Sequence, residues 1–239
     1  MEITGAVVLV TGANRGLGRA LSDQLLAAGA AKVYAGARDV STVAPREGLV
    51  PVRVDVTDVE SLRTAAARLT DVTIVVNNAG TASLGATPLT AESEALRTDF
   101  EVNTFGLLEV TRAFAPVIEA NGGGSIVNVL SALSWFTLPE MALYAASKAA
   151  SWSLTNALRA ELAPRGVHVA GLHVGWMDTD MAAHIDSPKT SPEVVADEIV
   201  SAIRTDEWEV IVDDFSRMVK DGLSSHPSTV YRDVVLARR

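Results

Sequence analysis

Short, almost wholly apolar runs alternate with longer amphipathic runs along most of this 239-residue chain. The apolar runs predict strands at residues 6–11, 32–37, 50–54, 72–77, 125–130, 167–173 and 209–212. The amphipathic runs predict helices at residues 16–28, 58–69, 91–120 with a bend near Pro116, 143–163 and 192–204. Strands without polar alternation, separated by helices, form parallel sheets that are covered on both faces. Because such crossovers are right-handed, we expect an α/β fold with one doubly wound parallel sheet of about seven strands, and one domain over residues 1–239.

Composition limits the classes of function. Hydrophobic residues make up 48% and charged residues 21% of the chain, as in soluble globular proteins. No apolar run is long enough for a membrane span, and no basic segment precedes an apolar core near Met1, so we expect no membrane association and no signal peptide. The net charge of −9 argues against nucleic-acid partners.

The side chains that are missing or scattered are equally informative. The chain has no cysteine, which excludes disulfides and thiolate metal sites and fits a cytoplasmic protein. It also has no cluster of histidine, cysteine and glutamate residues, so we expect no metal.

A glycine-rich segment, TGANRGLG at residues 11–18, joins the first predicted strand to the first predicted helix. Glycines in this place permit a tight turn and let the backbone approach a pyrophosphate at the helix N-terminus. In parallel sheets of this kind, ligands bind beyond the carboxyl ends of the strands. The segment therefore predicts a dinucleotide site at that edge of the sheet.

The end of the second predicted strand bears on which dinucleotide binds. An acidic residue there would bind a ribose 2′-hydroxyl, whereas a basic residue accommodates a 2′-phosphate. Ala37 occupies the place of the acid, and Arg38 follows it. Arg15 can reach the same region, which favours NADP(H). Asp39 leaves NAD(H) open as the alternative, in which case Arg38 is a solvated loop charge.

Tyr144 and Lys148 stand four residues apart within a predicted helix, so both side chains face the same space. A nearby cation favours the phenolate and is expected to lower the pKa of the tyrosine, which suits a general acid or base. The spacing alone is also typical of ordinary surface pairs.

Taken together, several motifs resemble the ordinary-length subtype of the short-chain dehydrogenase/reductase family. These are the glycine segment, Asn77-Asn78-Ala79-Gly80, Asn103, Ser131 and the Tyr144/Lys148 pair. The resemblance runs from Val7 to about Thr179, and more loosely to Val212. It implies a Rossmann fold and hydride transfer between a nicotinamide cofactor and a carbonyl or alcohol carbon.

The resemblance also implies a catalytic role for four residues. Tyr144 matches the acid/base, and Lys148 matches the lysine that lowers the pKa of the tyrosine and binds the nicotinamide ribose. Ser131 matches the serine that hydrogen-bonds the substrate oxygen; Ser134 lies nearby, but a strand end is the better place for a fixed hydroxyl. Asn103 matches the asparagine whose backbone holds a proton-relay water, although its side chain could simply bend the helix.

A larger set is implied to bind the cofactor. Asp55 and Val56 resemble the adenine contacts, Asn78 lies beside the adenosine ribose, and Met177 and Thr179 face the nicotinamide carboxamide. The full set is Gly12, Asn14, Arg15, Gly16, Leu17, Gly18, Arg38, Asp55, Val56, Asn78, Ala79, Gly80, Tyr144, Lys148, Val174, Gly175, Met177 and Thr179.

One departure from the family pattern follows the sixth predicted strand, where Val174-Gly175 replaces the usual Pro-Gly. A valine relaxes the backbone and adds an N–H group, which puts the rigidity of this loop in question.

The substrate pocket is expected to draw on residues 132–141, on residues 81–85 and on a substrate loop at about residues 176–192. Apolar and aromatic side chains there suit a hydrophobic ketone or aldehyde. The candidates are Trp135, Phe136, Leu138, Met141, Trp176, Met181 and His184. By family resemblance, the helix that carries Trp152 builds the interface of a homodimer or homotetramer.

We therefore expect an NADP(H)-dependent carbonyl reductase or alcohol dehydrogenase that acts on a small-molecule substrate. An NAD(H)-dependent alcohol dehydrogenase is the alternative within enzymes. A non-catalytic regulator that senses NADP is the alternative outside them.

Overall fold

A computed structural model describes residues 1–183 and 185–231. In these residues seven parallel strands form one sheet with the order β3-β2-β1-β4-β5-β6-β7. The strands are β1 (Val7–Thr11), β2 (Lys32–Ala37), β3 (Leu49–Arg53), β4 (Ile74–Asn77), β5 (Gly124–Val129), β6 (Val167–His173) and β7 (Glu209–Ile211). The predicted doubly wound Rossmann sheet is confirmed, and the predicted strand bounds hold to within two residues.

Helices cover both faces of this sheet. They are α1 (Gly16–Ala27), α2 (Val59–Arg68), α3 (Ser93–Phe100), α4 (Gly106–Ala120), α5 (Ala142–Leu162), α6 (Pro192–Thr205), α7 (Asp214–Asp221) and α8 (Pro227–Val230). Local chemistry sets several of their ends. Asp58 caps α2 by accepting from two backbone N–H groups, and Ser191 caps α6 just before Pro192. No helix within the described ranges has the length and apolar character to cross a membrane.

The core consists of two apolar layers, one on each side of the sheet. One layer packs α1 and α6 against residues such as Val8 and Leu172. The other packs α2, α4 and α5 against residues such as Leu9 and Ile126, with Phe114 fully buried in its centre. Both layers fix the carboxyl ends of the strands at one edge, where the crossover connections to the helices begin.

The long helix predicted at residues 91–120 is present from residue 93 to 120, with one irregular turn in its first half. Pro116 lies inside α4, and the bend predicted near it stays a prediction. A single π-helical turn, Glu101–Phe105, separates α3 from α4, and the Gly106 N–H donates to the carbonyl of Glu101 across it. The two C-terminal helices, α7 and α8, were not predicted, because short helices carry little periodic signal.

Candidate functional site

A cavity of about 1040 Å³ runs across the carboxyl ends of the strands. Nearly all the residues predicted to bind the cofactor line it: Gly12, Asn14, Arg15, Gly16, Leu17, Arg38, Asp55, Val56, Asn78, Ala79, Gly80, Tyr144, Lys148, Val174, Gly175, Met177 and Thr179. Among the predicted cofactor residues, Gly18 is the exception. Of the four predicted catalytic residues, Tyr144 and Lys148 are in this set because both are also predicted to bind the cofactor. Ser131 lines the cavity as well, whereas Asn103 lies behind its wall.

The glycine segment leaves the N-terminus of α1 open toward this cavity. Gly12 and Gly16 have positive φ values of 65° and 50°, which a side chain would strain. A Cβ on Gly18 would collide with the Gly12 carbonyl oxygen, so Gly18 serves close packing and not lining. Within the described residues, no side chain caps α1 and no acidic residue stands in its first turn. Free backbone N–H groups at a helix N-terminus fit the pyrophosphate of a dinucleotide.

A buried hydroxyl and an amide hold the glycine segment in place. Thr11 Oγ1 accepts from the backbone N–H groups of Asn78 and Ala79, each at 3.0 Å. The Asn78 side chain donates to the carbonyls of Thr11 at 2.8 Å and Gly12 at 3.1 Å. The asparagine motif after β4 therefore fixes the loop that follows β1, in addition to lining the cavity.

Charged side chains surround the end of the cavity where the sequence predicts the adenosine to bind, which we call the adenosine end. Arg38 is exposed and lines it, whereas Arg15 pairs with Asp180 at 2.9 Å across the cleft. Asp39 is occupied locally, because its carboxylate accepts from the N–H and the hydroxyl of Ser41 at 2.9 and 2.7 Å. These bonds hold the pKa of Asp39 below its usual value.

Tyr144 and Ser131 both line the cavity. Ser131 follows Leu130, two residues beyond the end of β5, and its hydroxyl acts to lower the pKa of Tyr144 on α5. The Ser131 Oγ also accepts from the backbone N–H of Leu133 at 3.1 Å. Ser134 is buried and accepts from the Ser131 N–H at 3.3 Å, so it supports the serine that faces the cavity.

Lys148 lies on the same face of α5. Its Nζ is 5.7 Å from the centre of the Tyr144 ring and donates to the carbonyl of Val129 at 2.8 Å. Burial lowers the pKa of Lys148 to about 8. Burial also raises the pKa of Tyr144 to about 12, against the lowering effect of the Ser131 hydroxyl. The prediction of a net lowering of the Tyr144 pKa was therefore wrong for the protein alone, because desolvation outweighs the effect of Ser131.

Asn103 stands in the π-helical turn, and its side chain bridges two segments. It accepts from the Thr81 N–H at 2.9 Å, and it donates to the Thr81 carbonyl at 2.8 Å and to Ser147 Oγ at 2.9 Å. The Asn103 carbonyl accepts from Ser151 Oγ at 2.9 Å. Asn103 thus joins the loop after β4 to α5, which it contacts at Ser147, next to Lys148, and at Ser151, one turn further along.

Asp99 is a charged residue near the site that sequence reasoning missed. It is fully buried, and its carboxylate accepts from the N–H and hydroxyl of Ser83 at 3.1 and 3.0 Å. Burial raises its pKa, and its charge acts on both Tyr144 and Lys148. A lone aspartate in a helical segment gave no signal of burial.

The part of the cavity wall away from the glycine segment is apolar. Five of the predicted substrate residues line it: Phe136, Leu138, Met141, Trp176 and Met181. Trp135 was wrongly placed there, because its ring turns away and stacks on His173 at 3.6 Å between centroids. His184 lies outside the described residues. Phe215 of α7 was missed and also lines the cavity.

Val174, which stands in place of the usual proline, is accommodated by packing, and a hydrogen bond holds the glycine that follows it. Val174 is buried in the core layer beside α6, and its carbonyl accepts from the Ala132 N–H at 3.1 Å. The Gly175 N–H donates to the Asp213 carboxylate at 2.6 Å. The loop after β6 is therefore anchored to the start of α7.

The predicted interface residue Trp152 has a partner within the chain. Its ring meets that of Trp135 edge to face at 6.2 Å between centroids. The association of chains through α5 stays a prediction.

A profile of the short chain dehydrogenase family matches residues 6–190. Among curated proteins, an uncharacterized oxidoreductase of Staphylococcus haemolyticus is 33% identical over 215 residues, which cover 84% of this chain and 92% of that protein. The 1-deoxy-11-beta-hydroxypentalenate dehydrogenase of Streptomyces exfoliatus is 31% identical over 230 residues, covering 90% and 82%.

Solved structures agree with these relatives. A short chain dehydrogenase from Burkholderia cenocepacia in complex with NADP is 39% identical, with a TM-score of 0.93 over 97% of this chain and 98% of that one. A 3-ketoacyl-(acyl-carrier-protein) reductase from Brucella melitensis complexed with NADH is 26% identical, with a TM-score of 0.82 over 88% and 98%. With its sheet order, its open α1 N-terminus and its tyrosine–lysine pair, this chain belongs to the short-chain dehydrogenase family of NAD(P)-dependent oxidoreductases.

Proposed function

We propose that this chain is an NADP(H)-dependent carbonyl reductase or alcohol dehydrogenase that acts on a hydrophobic ketone or aldehyde. One observation carries the proposal. Tyr144, Ser131 and Lys148 line one cavity together with the glycine segment and a set of apolar side chains, and the Lys148 Nζ is 5.7 Å from the centre of the Tyr144 ring. A carbonyl carbon held between the glycine segment and those apolar side chains would have proton donors on one side and a nicotinamide on the other.

The residues of this chain would share the work of reduction. Tyr144 would donate its phenolic proton to the substrate oxygen, and Ser131 would hydrogen-bond the same oxygen. Lys148 would hold the nicotinamide ribose and stabilise the phenolate that remains. A bound nicotinamide supplies the hydride. Its phosphates would rest on the N-terminus of α1 and its carboxamide against Met177 and Thr179, all of which line the cavity.

Asn103 is the proposed relay residue for reprotonating Tyr144. Its carbonyl already accepts from Ser151, so a relay water would use the second lone pair of that oxygen. Its side chain holds Thr81 and Ser147, which keeps that carbonyl in a fixed place.

Reduction is the proposed working direction. Tyr144 carries its proton at neutral pH, as any phenol of ordinary or raised pKa does, so it can donate that proton to the substrate oxygen. Alcohol oxidation would need the phenolate, which is scarce at that pH. A cell that keeps this cofactor as NADPH would favour the same direction.

The preference for NADP(H) rests on the two arginines of the adenosine end. Arg38 lines the cavity with no ion-pair partner among the described residues, and the exposed pair of Arg15 with Asp180 is weak enough to exchange for a phosphate. Asp39 also lines the cavity, but one oxygen of its carboxylate already accepts from Ser41, which makes it the weaker candidate for a ribose contact. The NADP complex of the 39% identical protein supports the same choice, and the NADH complex of the reductase keeps NAD(H) as the alternative.

The decisive experiment is a screen of ketones, aldehydes and quinones for NADPH oxidation, with a parallel plate that contains NADH. We expect turnover of apolar carbonyls with NADPH and its loss in Tyr144→Phe, with NADPH binding retained. If wild type and Tyr144→Phe both bind NADPH but turn over no carbonyl in the panel, the non-catalytic regulator becomes the better account.

Assembly and location belong to the same proposal. A homodimer or homotetramer is supported by the exposure of apolar side chains on α3 and the turn after it, where Leu96 is 39% and Phe105 is 48% exposed. Light scattering on the purified protein tests it, with a monomeric mass as the contrary result. A cytoplasmic location is proposed from the absence of cysteine.

A further inference from the structure

His173, the last residue of β6, is a buried titratable residue that the proposed chemistry does not use. Its side chain is 0% exposed, and its Nδ1 lies 3.0 Å from the backbone carbonyl oxygen of Ser131. A carbonyl oxygen can only accept, so Nδ1 carries the hydrogen and donates it. The serine that faces the substrate is therefore held by the imidazole of a neighbouring strand.

Aromatic contacts fix the plane of this imidazole. The ring of Trp135 stacks on it at 3.6 Å between centroids with an angle of 16° between the planes. Trp135 ends the short turn that begins at Ser131, and Trp152 of α5 supports it edge to face. His173 thus contacts the start and the end of the turn that carries the serine.

On its other side the imidazole faces α7 and β7. Glu209 Oε1 is 3.9 Å from His173 Nε2, which has no hydrogen-bond partner among the described residues. Lys220 binds the other oxygen of Glu209 at 2.6 Å and lies 4.6 Å from the centre of the Trp135 ring. Burial lowers the pKa of His173 to about 4, so the ring is neutral near pH 7 and has one hydrogen to donate.

Four hydrogen bonds within the described residues hold Ser131. Its N–H donates to Ser134 Oγ, its Oγ accepts from the Leu133 N–H, and its carbonyl accepts from both the Ser134 N–H at 3.0 Å and His173. Three of the four come from the turn itself, and His173 provides the one side-chain bond that comes from β6. The residues on either side of Ser131 also donate main-chain bonds to residues 172 and 174, so the bond from His173 acts on the orientation of the Ser131 carbonyl.

We propose that His173 is a positioning residue, whose Nδ1–H holds the Ser131 hydroxyl in the place where it meets the carbonyl oxygen of the substrate. This role rests on the proposed reductase function. It differs from simple packing, because it depends on one hydrogen-bond donor and not on the volume or aromatic character of the ring. Two variants separate these properties.

His173→Phe keeps a stacked ring but removes the donor, whereas His173→Asn loses the ring and can place its amide nitrogen near the position of Nδ1. We expect His173→Phe to lower kcat about 10- to 100-fold, with little change in KM for NADPH, because a displacement of about 1 Å costs that much in rate. His173→Asn should recover kcat to within a few-fold of wild type.

His168→Phe is the matched control, since His168 is half-buried near the amino end of the same strand, about 16 Å away at 3.3 Å per residue. It should leave kcat unchanged. If His173→Phe keeps the wild-type kcat, or if His173→Asn loses more activity than His173→Phe, packing explains the residue and the proposal fails. Melting temperatures identify a variant that has lost its fold; His173→Leu, which has no donor, then replaces His173→Phe, and His173→Gln, which has one, replaces His173→Asn.

A second measurement does not depend on turnover. Nitrogen NMR of the histidine rings in the wild-type protein should give the Nδ1–H tautomer for His173. An Nε2–H tautomer in an enzyme that reduces carbonyls would overturn the positioning role alone. A wild-type protein that turns over no carbonyl would overturn the proposed function, and the role of His173 with it.

Discussion

Replacing Arg38 by aspartate should reverse the cofactor preference. Arg38 is exposed, lines the adenosine end of the cavity, and is the cation there that no described residue pairs with. A hydrogen bond to a charged group contributes about 1.5–3 kcal/mol, and solvent exposure brings this toward the lower end. At about 1.4 kcal/mol for each factor of ten, losing the contact costs NADPH about tenfold. Repulsion between the new carboxylate and the 2′-phosphate brings the expected loss to between about 10- and 100-fold.

The assay compares kcat/KM for NADPH and NADH with one carbonyl substrate at fixed ionic strength. NADH should keep its value or gain a few-fold, since the new carboxylate can accept from a ribose hydroxyl. Arg53→Asp is the matched control. Arg53 is paired in register with Ala37 on the neighbouring strand and makes the same change of charge, but it does not line the cavity. An unchanged preference in Arg38→Asp, or an equal shift in Arg53→Asp, would refute direct recognition of the phosphate.

Further predictions concern proton transfer, the glycine segment and the apolar end. The kcat for carbonyl reduction should stay constant through neutral pH and fall above about pH 8, because Lys148 then loses its proton. The kcat for alcohol oxidation should rise with pH, because Tyr144 ionises. An oxidation rate that peaks at neutral pH would contradict the role of the Tyr144 phenolate. Gly18→Ala places a Cβ against the backbone carbonyl of Gly12, so it should lower the free energy of unfolding by about 1–3 kcal/mol and weaken NADPH binding in titrations. Gly222→Ala is the control, because a Cβ there would have nothing within 4 Å, and it should match wild type in both measurements. Phe215→Ala should raise KM for an apolar ketone about 3- to 10-fold in steady-state kinetics and leave KM for NADPH unchanged; an unchanged ketone KM would remove Phe215 from the substrate contacts.

The sheet and the glycine-lined part of the cavity could be predicted from the sequence, because both have local signals. Apolar runs mark each strand, and glycines with positive φ are needed where the backbone turns beneath a ligand. Gly18 shows the limit of this reasoning. The motif predicts that it lines the cofactor site, whereas the structure shows that it packs against the carbonyl oxygen of Gly12.

The substrate half could not be predicted to the same depth, because its members come from distant segments. Phe215 reaches the cavity from a helix that follows the last strand, and Trp135 leaves it to stack on a histidine that stands 38 positions later in the chain. The prediction of the Tyr144 pKa failed for the same reason. Its value depends on how deeply α5 and the neighbouring loops bury the phenol, which no spacing of residues encodes.

The π-helical turn at Glu101–Phe105 has a consequence for insertions and deletions. Such a turn holds one residue more than a regular α-helix would, so it offsets everything after it by about 100° around the helix axis. Removing one residue from this turn would restore regular helix, yet it would rotate the inward side chains of α4, such as Val110, Phe114 and Ile118, out of the core. The same deletion would swing Asn103 away from Thr81 and Ser147. The extra residue therefore links the length of this helix to the contacts of Asn103 with Thr81 and Ser147, and a one-residue deletion there should be tolerated far less well than one in a surface loop.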